Sequence, residues 1–217
     1  SSSSGNRREF LDMMLNWDRS FGAHHPSATI KYTQDSYIQT QNLGEDLKTG
    51  INKRNQDLAG RVAYNWNYRY FIDFNFGYNG SENFAKGDRF GFFPAFSLAW
   101  NIAEEPFIKK HLKWMNMFKL RYSYGKVGND VVGDDDQRFP YLSTFGASGG
   151  FNYADIGQKY EFTGLSYTHY ATTAVTWEIA TKHDIGIDFS LWDDKFTGTI
   201  DYFHEQRDGI YQQRNFI

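Results

Sequence analysis

The sequence predicts an all-β protein, an antiparallel transmembrane β-barrel. Alternation is clearest in Tyr70–Tyr78, where apolar side chains occupy every second position and mostly polar or small ones lie between them. Because successive side chains of a strand point to opposite faces, this strand has one apolar and one polar face. Aromatic residues make up 19% of the chain, and no apolar run reaches the roughly 18 residues of a transmembrane helix. Together these features are typical of a barrel with lipid outside and water inside.

Composition narrows the classes of function. The 217 residues carry a formal net charge of −3, and the sequence pI is about 6.1. This balance argues against a basic nucleic-acid footprint, so we expect no nucleic-acid partner. Cysteine is missing from the sequence, which removes thiol nucleophiles and thiolate metal sites. The mean hydropathy of −0.65 is compatible with a barrel, because its lumen, loops and turns are polar.

Two-residue alternation recurs in about eight segments. The length of these segments is near the roughly 9 to 11 residues that a tilted membrane-spanning strand needs. The predicted strands cover, within a few residues, 10–21, 27–41, 58–66, 70–78, 92–100, 118–124, 183–191 and 196–202. Between Ala103 and Met117 the period becomes helical after Glu104-Glu105-Pro106, which predicts one short amphipathic helix. Pro94 cannot donate to a ladder, so we expect it at a bulge or beyond the end of its partner strand.

Connections of two lengths alternate along the chain. Short corners near Gly22, Asn67 and Asp193 and the helical corner alternate with long links at 42–55, 80–90 and 127–173. Bacterial outer-membrane barrels keep short turns on the periplasmic side and long loops outside. Four tryptophans lie beside the short corners, namely Trp17, Trp66, Trp100 and Trp192. We therefore expect a periplasmic aromatic girdle there, and a long functional loop at 127–173 with room for a hairpin of its own.

Several short motifs resemble, in their order, the barrel of SusC/RagA-like TonB-dependent transporters of Bacteroidota. They are Gln56–Arg61, Gly77–Lys86, Arg89–Pro94, Lys119–Gly125, Val127–Asp130, Trp177-Glu178 and Asp184–Phe189. The resemblance covers most of residues 10–210 and implies a 22-stranded barrel closed by a plug. About eight strands cannot enclose a plug. We therefore expect residues 1–217 to form one partial transmembrane barrel domain, the interior-to-C-terminal part of a longer transporter whose plug and TonB box lie outside this chain.

The resemblance also implies a function. It predicts TonB-dependent nutrient import across the bacterial outer membrane, of oligosaccharides or, less often, peptides, and no enzymatic activity or cofactor. The implied partners are the TonB complex, which supplies energy from the inner membrane, a SusD-like surface lipoprotein over the mouth, and outer-membrane lipid. The lumenal wall against the plug would be lined by Arg61, Asp73, Asn75, Lys119, Arg121, Asp184 and Asp188.

Three polar groups have weaker alternative interpretations. Asp130 and Asp134–Asp136 could bind Ca²⁺, but the alternating order of an EF-hand is missing and a solvated acidic loop is favoured. His24-His25 is read as a polar turn, since neighbouring side chains diverge and nothing nearby completes a metal shell. Asp184 and Asp188, beside His183, would lie about 13 Å apart on one strand face. Glycosidase carboxylates are separated by roughly 5–9.5 Å, so we assign no catalytic, cofactor-binding or metal residue.

The long loop is rich in aromatic residues, whose role has two open interpretations. The aromatic residues are Tyr141, Phe151, Tyr153, Tyr160, Tyr167 and Tyr170. Their rings would either stack on sugars or a lid protein at the mouth, or pack against one another as large ordered loops do; the sequence does not identify substrate-binding residues. Two alternatives to the transporter also stay open: a complete eight-stranded outer-membrane barrel acting as an adhesin or hydrolase, and a soluble β-sandwich that binds carbohydrate.

Overall fold

The computed structural model describes residues 5–39, 51–132, 138–155, 158–172 and 174–212, with backbone alone at 39, 151–155 and 158–161. These residues form ten strands, a short 3₁₀ turn at Ile102–Glu104 and one helix, α1 (Pro106–His111). The strands are β1 (Asn6–Asp18), β2 (His24–Gln39), β3 (Lys53–Trp66), β4 (Tyr70–Ser81), β5 (Phe90–Asn101), β6 (Met115–Asn129), β7 (Thr144–Asp155), β8 (Gln158–His169), β9 (Glu178–Leu191) and β10 (Phe196–Asp208).

Eight of the strands form one antiparallel sheet in the order β1-β2-β3-β4-β5-β6-β9-β10, and β7 and β8 form a separate hairpin. The sheet follows chain order except that the hairpin is inserted between β6 and β9. This confirms the predicted all-β fold of about eight wall strands, and a hairpin does lie within the long link. Across the described ranges, no helix is both long and apolar enough to cross a membrane.

Register brings the apolar side of every strand to the same face of the sheet. Trp66 pairs with Tyr70, Tyr70 with Trp100, and Trp100 with Leu120. The pairing continues to β10, where Ile200 faces Ile187. We call this side the outward face and the opposite side the lumenal face. Large apolar side chains on the outward face stay uncovered, for example Ile72 at 50% and Ile200 at 62% exposure. An apolar surface of this size requires a non-aqueous partner.

Two short corners confirm the predicted turns. Asn67 and Tyr68 have φ values of 49° and 57°, and Trp192, Asp193 and Asp194 have values of 53°, 55° and 62°. This left-handed backbone lets the chain reverse within a few residues, and Asn and Asp tolerate it better than most side chains. The corner between β9 and β10 is further fixed by the hydrogen bond from the Trp192 amide to the Trp114 carbonyl at 2.7 Å.

The short corner predicted near Gly22 is present, but the polar turn predicted at His24-His25 is wrong. Gly22 has a φ of 59°, and the Phe21 and His24 backbones exchange hydrogen bonds at 2.8 and 3.1 Å. The reversal is therefore complete by Ala23, and β2 already begins at His24. His24 and His25 consequently pair with Trp66 and Asn65 in the sheet instead of forming a polar turn.

Other boundaries differ for physical reasons. β3 begins at Lys53, earlier than the alternation indicated, because its first residues are polar on both faces. β9 also begins earlier, at Glu178, where Ile179 packs against buried residues near the end of the sheet. The helix spans only Pro106–His111, since the Leu112 backbone at φ −117° and ψ 64° leaves the helical region. Pro94 lies as expected: the β5–β6 pairing ends at Ala95, so no ladder donor is required on that side.

We expect an arginine on the two faces of β4 to have opposite consequences. Phe74→Arg places a charge on the outward face midway between Tyr70 and Tyr78, and should lower the free energy of unfolding by about 2–4 kcal/mol. Its matched control is Gly77→Arg on the lumenal face, where an added Cβ first meets Asn79 Oδ1 at 3.4 Å; it should cost well under half as much. Denaturant titration of the full-length protein in phospholipid vesicles measures both; equal costs would contradict the assignment of faces.

Candidate functional site

The lumenal face carries a wall of ion pairs that link neighbouring strands. On β3 and β4, Arg61 Nε donates to Asp73 Oδ2 at 2.7 Å, and Asn75 donates to the other oxygen of the same carboxylate. On β6, the Lys119 ammonium lies 4.4 Å from the centre of the Phe71 ring. These contacts bring the predicted lumenal residues of β3 and β4 together and leave their charges on the side away from the apolar face.

Arg121 links three strands. Its Nε donates to Asp188 Oδ2 at 2.7 Å and its Nη2 to Asp188 Oδ1 at 3.0 Å. The same Nη2 donates to Asp201 Oδ1 on β10 at 2.8 Å. Between β6 and β10 the side chain crosses Gly186, which pairs with both Arg121 and Asp201. A Cβ at Gly186 would overlap the guanidinium and the carboxylate, so these two groups would have to move apart from their observed positions.

A recess of about 350 Å³ on the lumenal face joins the remaining predicted residues. It is lined by Asp73, Lys119, Arg121 and Asp184 together with serines and apolar side chains of β5 and β6. Asp188 lies beside it through its bond to Arg121. The recess carries both signs of charge, which suits contact with a polar surface.

His183 and Asp184 do not act as a pair. His183 lies on the outward face, where its Nδ1 is 3.1 Å from the Tyr122 hydroxyl and its ring centroid is 5.0 Å from that of Tyr124. Asp184 faces the lumen. Asp188 is engaged by Arg121 and by the Thr199 hydroxyl at 3.0 Å. The geometry therefore supplies no proton-transfer pair at this position.

The end of the sheet that carries the long links holds a small buried core, which sequence reasoning missed. Phe84, Phe93, Val132 and Trp177 are all less than a tenth exposed, and we call them the loop-end cluster. The Trp177 ring lies 5.1 Å from Phe84 and 5.0 Å from Phe93, centroid to centroid. These residues come from four separate parts of the chain. The cluster therefore ties the long links to the ends of β5 and β6.

Glycines and hydrogen bonds complete the loop-end cluster. The Phe93 ring occupies the space where a Cβ of Gly91 or Gly128 would lie. Trp177 Nε1 donates to the Asp88 carbonyl at 3.1 Å, and Ser81 Oγ donates to Asp130 Oδ2 at 2.7 Å. Most of the motifs that carry the family resemblance thus meet here. The glycine, asparagine and tryptophan residues of these motifs were visible in the sequence, but nothing in the sequence showed that the motifs contact one another.

Asp130 therefore has a structural role as an acceptor. Its carbonyl also accepts from Asn83 Nδ2 at 3.0 Å. The other members of the acidic cluster, Asp134–Asp136, lie outside the described residues. No group of three or more His, Asp or Glu side chains suited to a metal ion occurs in the described part of the chain.

The described aromatic loop residues pack against one another, which is the second interpretation offered by the sequence. Tyr167 stacks on Tyr170 at 4.8 Å and contacts Phe145 at 4.4 Å, yet Tyr170 stays 71% exposed. Tyr141 packs edge-on against Phe139, which is buried. The side chains of Phe151, Tyr153 and Tyr160 lie outside the described set. Self-packing therefore leaves open ring faces in this loop.

The opposite end of the sheet is an aromatic band. Trp66 stacks on Tyr70 at 5.6 Å, and Tyr70 on Trp100 at 6.3 Å. Trp114 and Trp192 stack at 5.6 Å beside the next corner, and Trp17 is exposed on β1. The four tryptophans lie on the outward face next to the short corners, as the sequence predicted. Rings at this position suit a membrane interface.

Glu105 fixes this aromatic band to the helical corner. It is buried and accepts from the Tyr70 hydroxyl at 2.6 Å and from Trp100 Nε1 at 3.1 Å. The Tyr70 hydroxyl, the Trp100 indole and then the Arg69 guanidinium hold the pKa of Glu105 below its ordinary value. The charged carboxylate thus positions two rings of the band.

Comparison with known proteins identifies relatives of this chain. No protein-family model matches it. The chain is 31% identical over 179 residues to the TonB-dependent receptor SusC of Bacteroides thetaiotaomicron, a match of 81% of this chain and 17% of the relative. It is 28% identical over 214 residues to TonB-dependent receptor P3 of Formosa agariphila, covering 87% of this chain and 20% of that protein. The chain therefore spans about a fifth of the length of these relatives.

Solved structures share its fold. The RagAB peptide transporter aligns with a TM-score of 0.71 at 14% identity, over 94% of this chain and 24% of that chain. The same importer in its open-open state gives a TM-score of 0.67. These values establish the common architecture.

The fold and the sequence relatives together identify this chain as part of the wall of a β-barrel of the TonB-dependent receptor class. Within that class, the chain corresponds to part of the barrel of SusC/RagA-like transporters of Bacteroidota. This confirms the resemblance drawn from the motifs. The relatives are receptors and transporters rather than enzymes, in keeping with the expectation of no catalytic activity.

We expect Gly186→Ala to break the bridge from Arg121 to Asp201. Because the added Cβ meets both charged groups, the free energy of unfolding of the full-length protein should fall by about 1 kcal/mol, the scale of a partly exposed ion pair. In an Asp201→Ala background the same change should cost less. Gly77→Ala on the same face is the control, since its Cβ would first meet Asn79 Oδ1 at an ordinary 3.4 Å. A cost unaltered by Asp201→Ala would contradict the bridge.

Trp177→Ala should loosen the packing of the long links against the end of the sheet. Removing a buried tryptophan costs about 3–5 kcal/mol of local stability, so protease cleavage within residues 82–89 and 174–177 should rise at least about tenfold. Trp192→Ala, at the other end and 54% exposed, should leave those cleavage rates unchanged. Limited proteolysis of the full-length protein with mass-spectrometric mapping measures this, and equal cleavage in both variants would show that the cluster does not anchor the loops.

The helical corner should loosen at low pH. Since the folded pKa of Glu105 is lowered, its stabilisation is present above the ordinary glutamate value of about 4.3 and is lost as pH falls through the folded pKa. Hydrogen exchange of residues 102–112, corrected for its intrinsic pH dependence, should accelerate in that window. Glu105→Gln should abolish the transition, and a transition that persists in this variant would assign it to another group.

Proposed function

We propose that the protein containing this chain imports nutrients across the bacterial outer membrane in a TonB-dependent manner. The observation that carries the proposal is the eight-stranded sheet with one continuous apolar face and one ion-paired polar face. A wall of this kind separates lipid from an aqueous passage. The named relatives, TonB-dependent receptors that include SusC, support the same class of activity.

The proposal places the short corners and their aromatic band at the periplasmic interface. The long links and the β7–β8 hairpin then face outside, where substrate arrives. The lumenal charges would contact the plug of the whole protein and the hydrated passage around it. Exposed rings at Tyr167 and Tyr170 favour contact with a ligand or a capping protein on this side.

The proposed substrate is an oligosaccharide, with a peptide as the second candidate. Tyrosine faces stack on sugar rings, and Tyr170 presents such a face. The peptide alternative is favoured by the RagAB neighbours, which are described as a peptide transporter and importer. The proposed partners are a SusD-like lipoprotein over the mouth and the TonB complex, which would act through segments of the whole protein beyond this chain.

Two competing functions receive less support. A complete eight-stranded barrel would need β1 and β10 to pair, but in the described sheet these are the two edge strands. A soluble sandwich would cover the apolar face with a second sheet, whereas the other described sheet is only the β7–β8 hairpin. Both observations favour a segment of a larger membrane wall.

Uptake by cells tests the proposal. Cells that express the full-length protein should take up a labelled oligosaccharide, and deletion of TonB should reduce uptake by at least about tenfold. Tyr167→Ala with Tyr170→Ala should weaken uptake several-fold, whereas Tyr68→Ala, an exposed tyrosine at the opposite end, should have little effect. Affinity purification of the full-length protein should recover a surface lipoprotein.

Each part of the proposal can fail separately. Uptake that continues without TonB would contradict the energy source. Uptake of labelled peptides but not oligosaccharides would replace the first substrate class with the second. Recovery of the full-length protein in the aqueous fraction without detergent would overturn the membrane assignment itself.

A further inference from the structure

A cavity of about 540 Å³ lies at the long-link end of strands β2–β5. Several of its lining residues are on the outward face, in positions that continue the apolar rows: Gln34, Arg54, Gln56, Gly80 and Phe90. Tyr141 and Leu142 of the long loop close it from the other side. We call this the rim cavity. Its volume is in the range of small-molecule sites.

The rim cavity begins where the apolar band ends. Leu58, Tyr78 and Phe92 form the last fully apolar row across β3, β4 and β5, and Gln56 and Gly80 follow two residues further along. Tyr78 stacks on Phe90 at 5.1 Å, which joins the band directly to the cavity wall. If the band is embedded in lipid, the cavity lies at the height of the outer-leaflet headgroups.

The cavity is positively charged. Arg54 and Arg89 both line it and are exposed. The backbone amide of Arg54 donates to Glu82 Oε2 at 3.1 Å, but neither guanidinium has an ion pair with a carboxylate among the described side chains. Arg89 donates to the Phe84 carbonyl at 3.2 Å and to the Tyr141 hydroxyl at 3.4 Å. The one acidic lining residue, Glu82, is neutralised by an ion pair with Arg138. Guanidinium groups free of carboxylates suit phosphate, which they bind through paired N–H donors.

We propose that the rim cavity binds the phosphorylated sugar headgroup of an outer-leaflet glycolipid. Arg54 and Arg89 bind the phosphate, and the rings of Phe90 and Tyr141 lie against the sugar. A soluble acidic sugar has the same headgroup chemistry, but five lining residues lie on the outward face directly beyond the apolar band, which favours a headgroup whose acyl chains follow that band. Acyl chains attached to the headgroup would continue onto Tyr78 and Phe92. The inference relies on the proposed outer-membrane location and adds a binding site distinct from the import path.

Binding of purified outer-membrane glycolipid to the full-length protein in detergent tests this site. Arg54→Gln should weaken the affinity by about tenfold, the effect of losing roughly 1.4 kcal/mol of binding. Phosphatase treatment of the glycolipid should have a similar effect on the wild-type protein. Lys126→Gln is the control, because Lys126 is a cation on β6 that does not line the cavity, and it should leave the affinity unchanged. Heat-modifiable migration on a gel verifies that each variant is folded.

The results separate this inference from the proposed function. Affinity within twofold of wild type for Arg54→Gln, or no effect of phosphatase, would overturn the site while leaving import intact. A soluble phosphorylated sugar that binds as tightly as the glycolipid would overturn the lipid source. Absence of the full-length protein from the outer membrane would overturn both the site and the proposed function.

Discussion

The register between neighbouring strands is the constraint on which the rest of the structure depends. Side chains alternate with a period of two, so a slip of one residue moves a whole strand's apolar set to the other face. In the observed register, Trp66, Tyr70, Trp100 and Leu120 form one outward row. The same register places Arg121 beside Asp188 across from Gly186 on the lumenal face. A slipped strand would therefore lose its ion pairs and put charges into lipid at once.

The two ends of the sheet use the same register for different purposes. At the short corners, stacked rings on the outward face and the buried Glu105 make a band suited to a membrane interface. At the other end, Phe93 and Trp177 on the lumenal side build a core that anchors long links. A rigid wall that ends in anchored loops can hold exposed aromatic side chains such as Tyr170 at a defined place.

Sequence patterns predicted the strands of the wall well, because an apolar and a polar environment on opposite faces produce the two-residue alternation seen in Tyr70–Tyr78. Beyond the apolar band both faces are polar, so alternation disappears and the extension of β3 to Lys53 was missed. The loop-end cluster could not be predicted, since Phe84, Phe93 and Trp177 meet only after the links fold back over the sheet. Likewise, the reach of Arg121 to Asp201 depends on the side chain missing at Gly186, which a strand pattern does not reveal.

The central claim is that β4 has lipid on one side and water on the other. These 217 residues contain no cysteine, so once any cysteine elsewhere in the full-length protein is replaced by serine, single cysteines at positions 71–77 can each carry a spin label in that protein, reconstituted in vesicles. Collision rates with oxygen and with a polar nickel complex then report the surroundings of each label. The account predicts high oxygen and low nickel accessibility at 72, 74 and 76, and the reverse at 73, 75 and 77. Accessibility without this two-residue period, or low values for both reagents at every position, would contradict it.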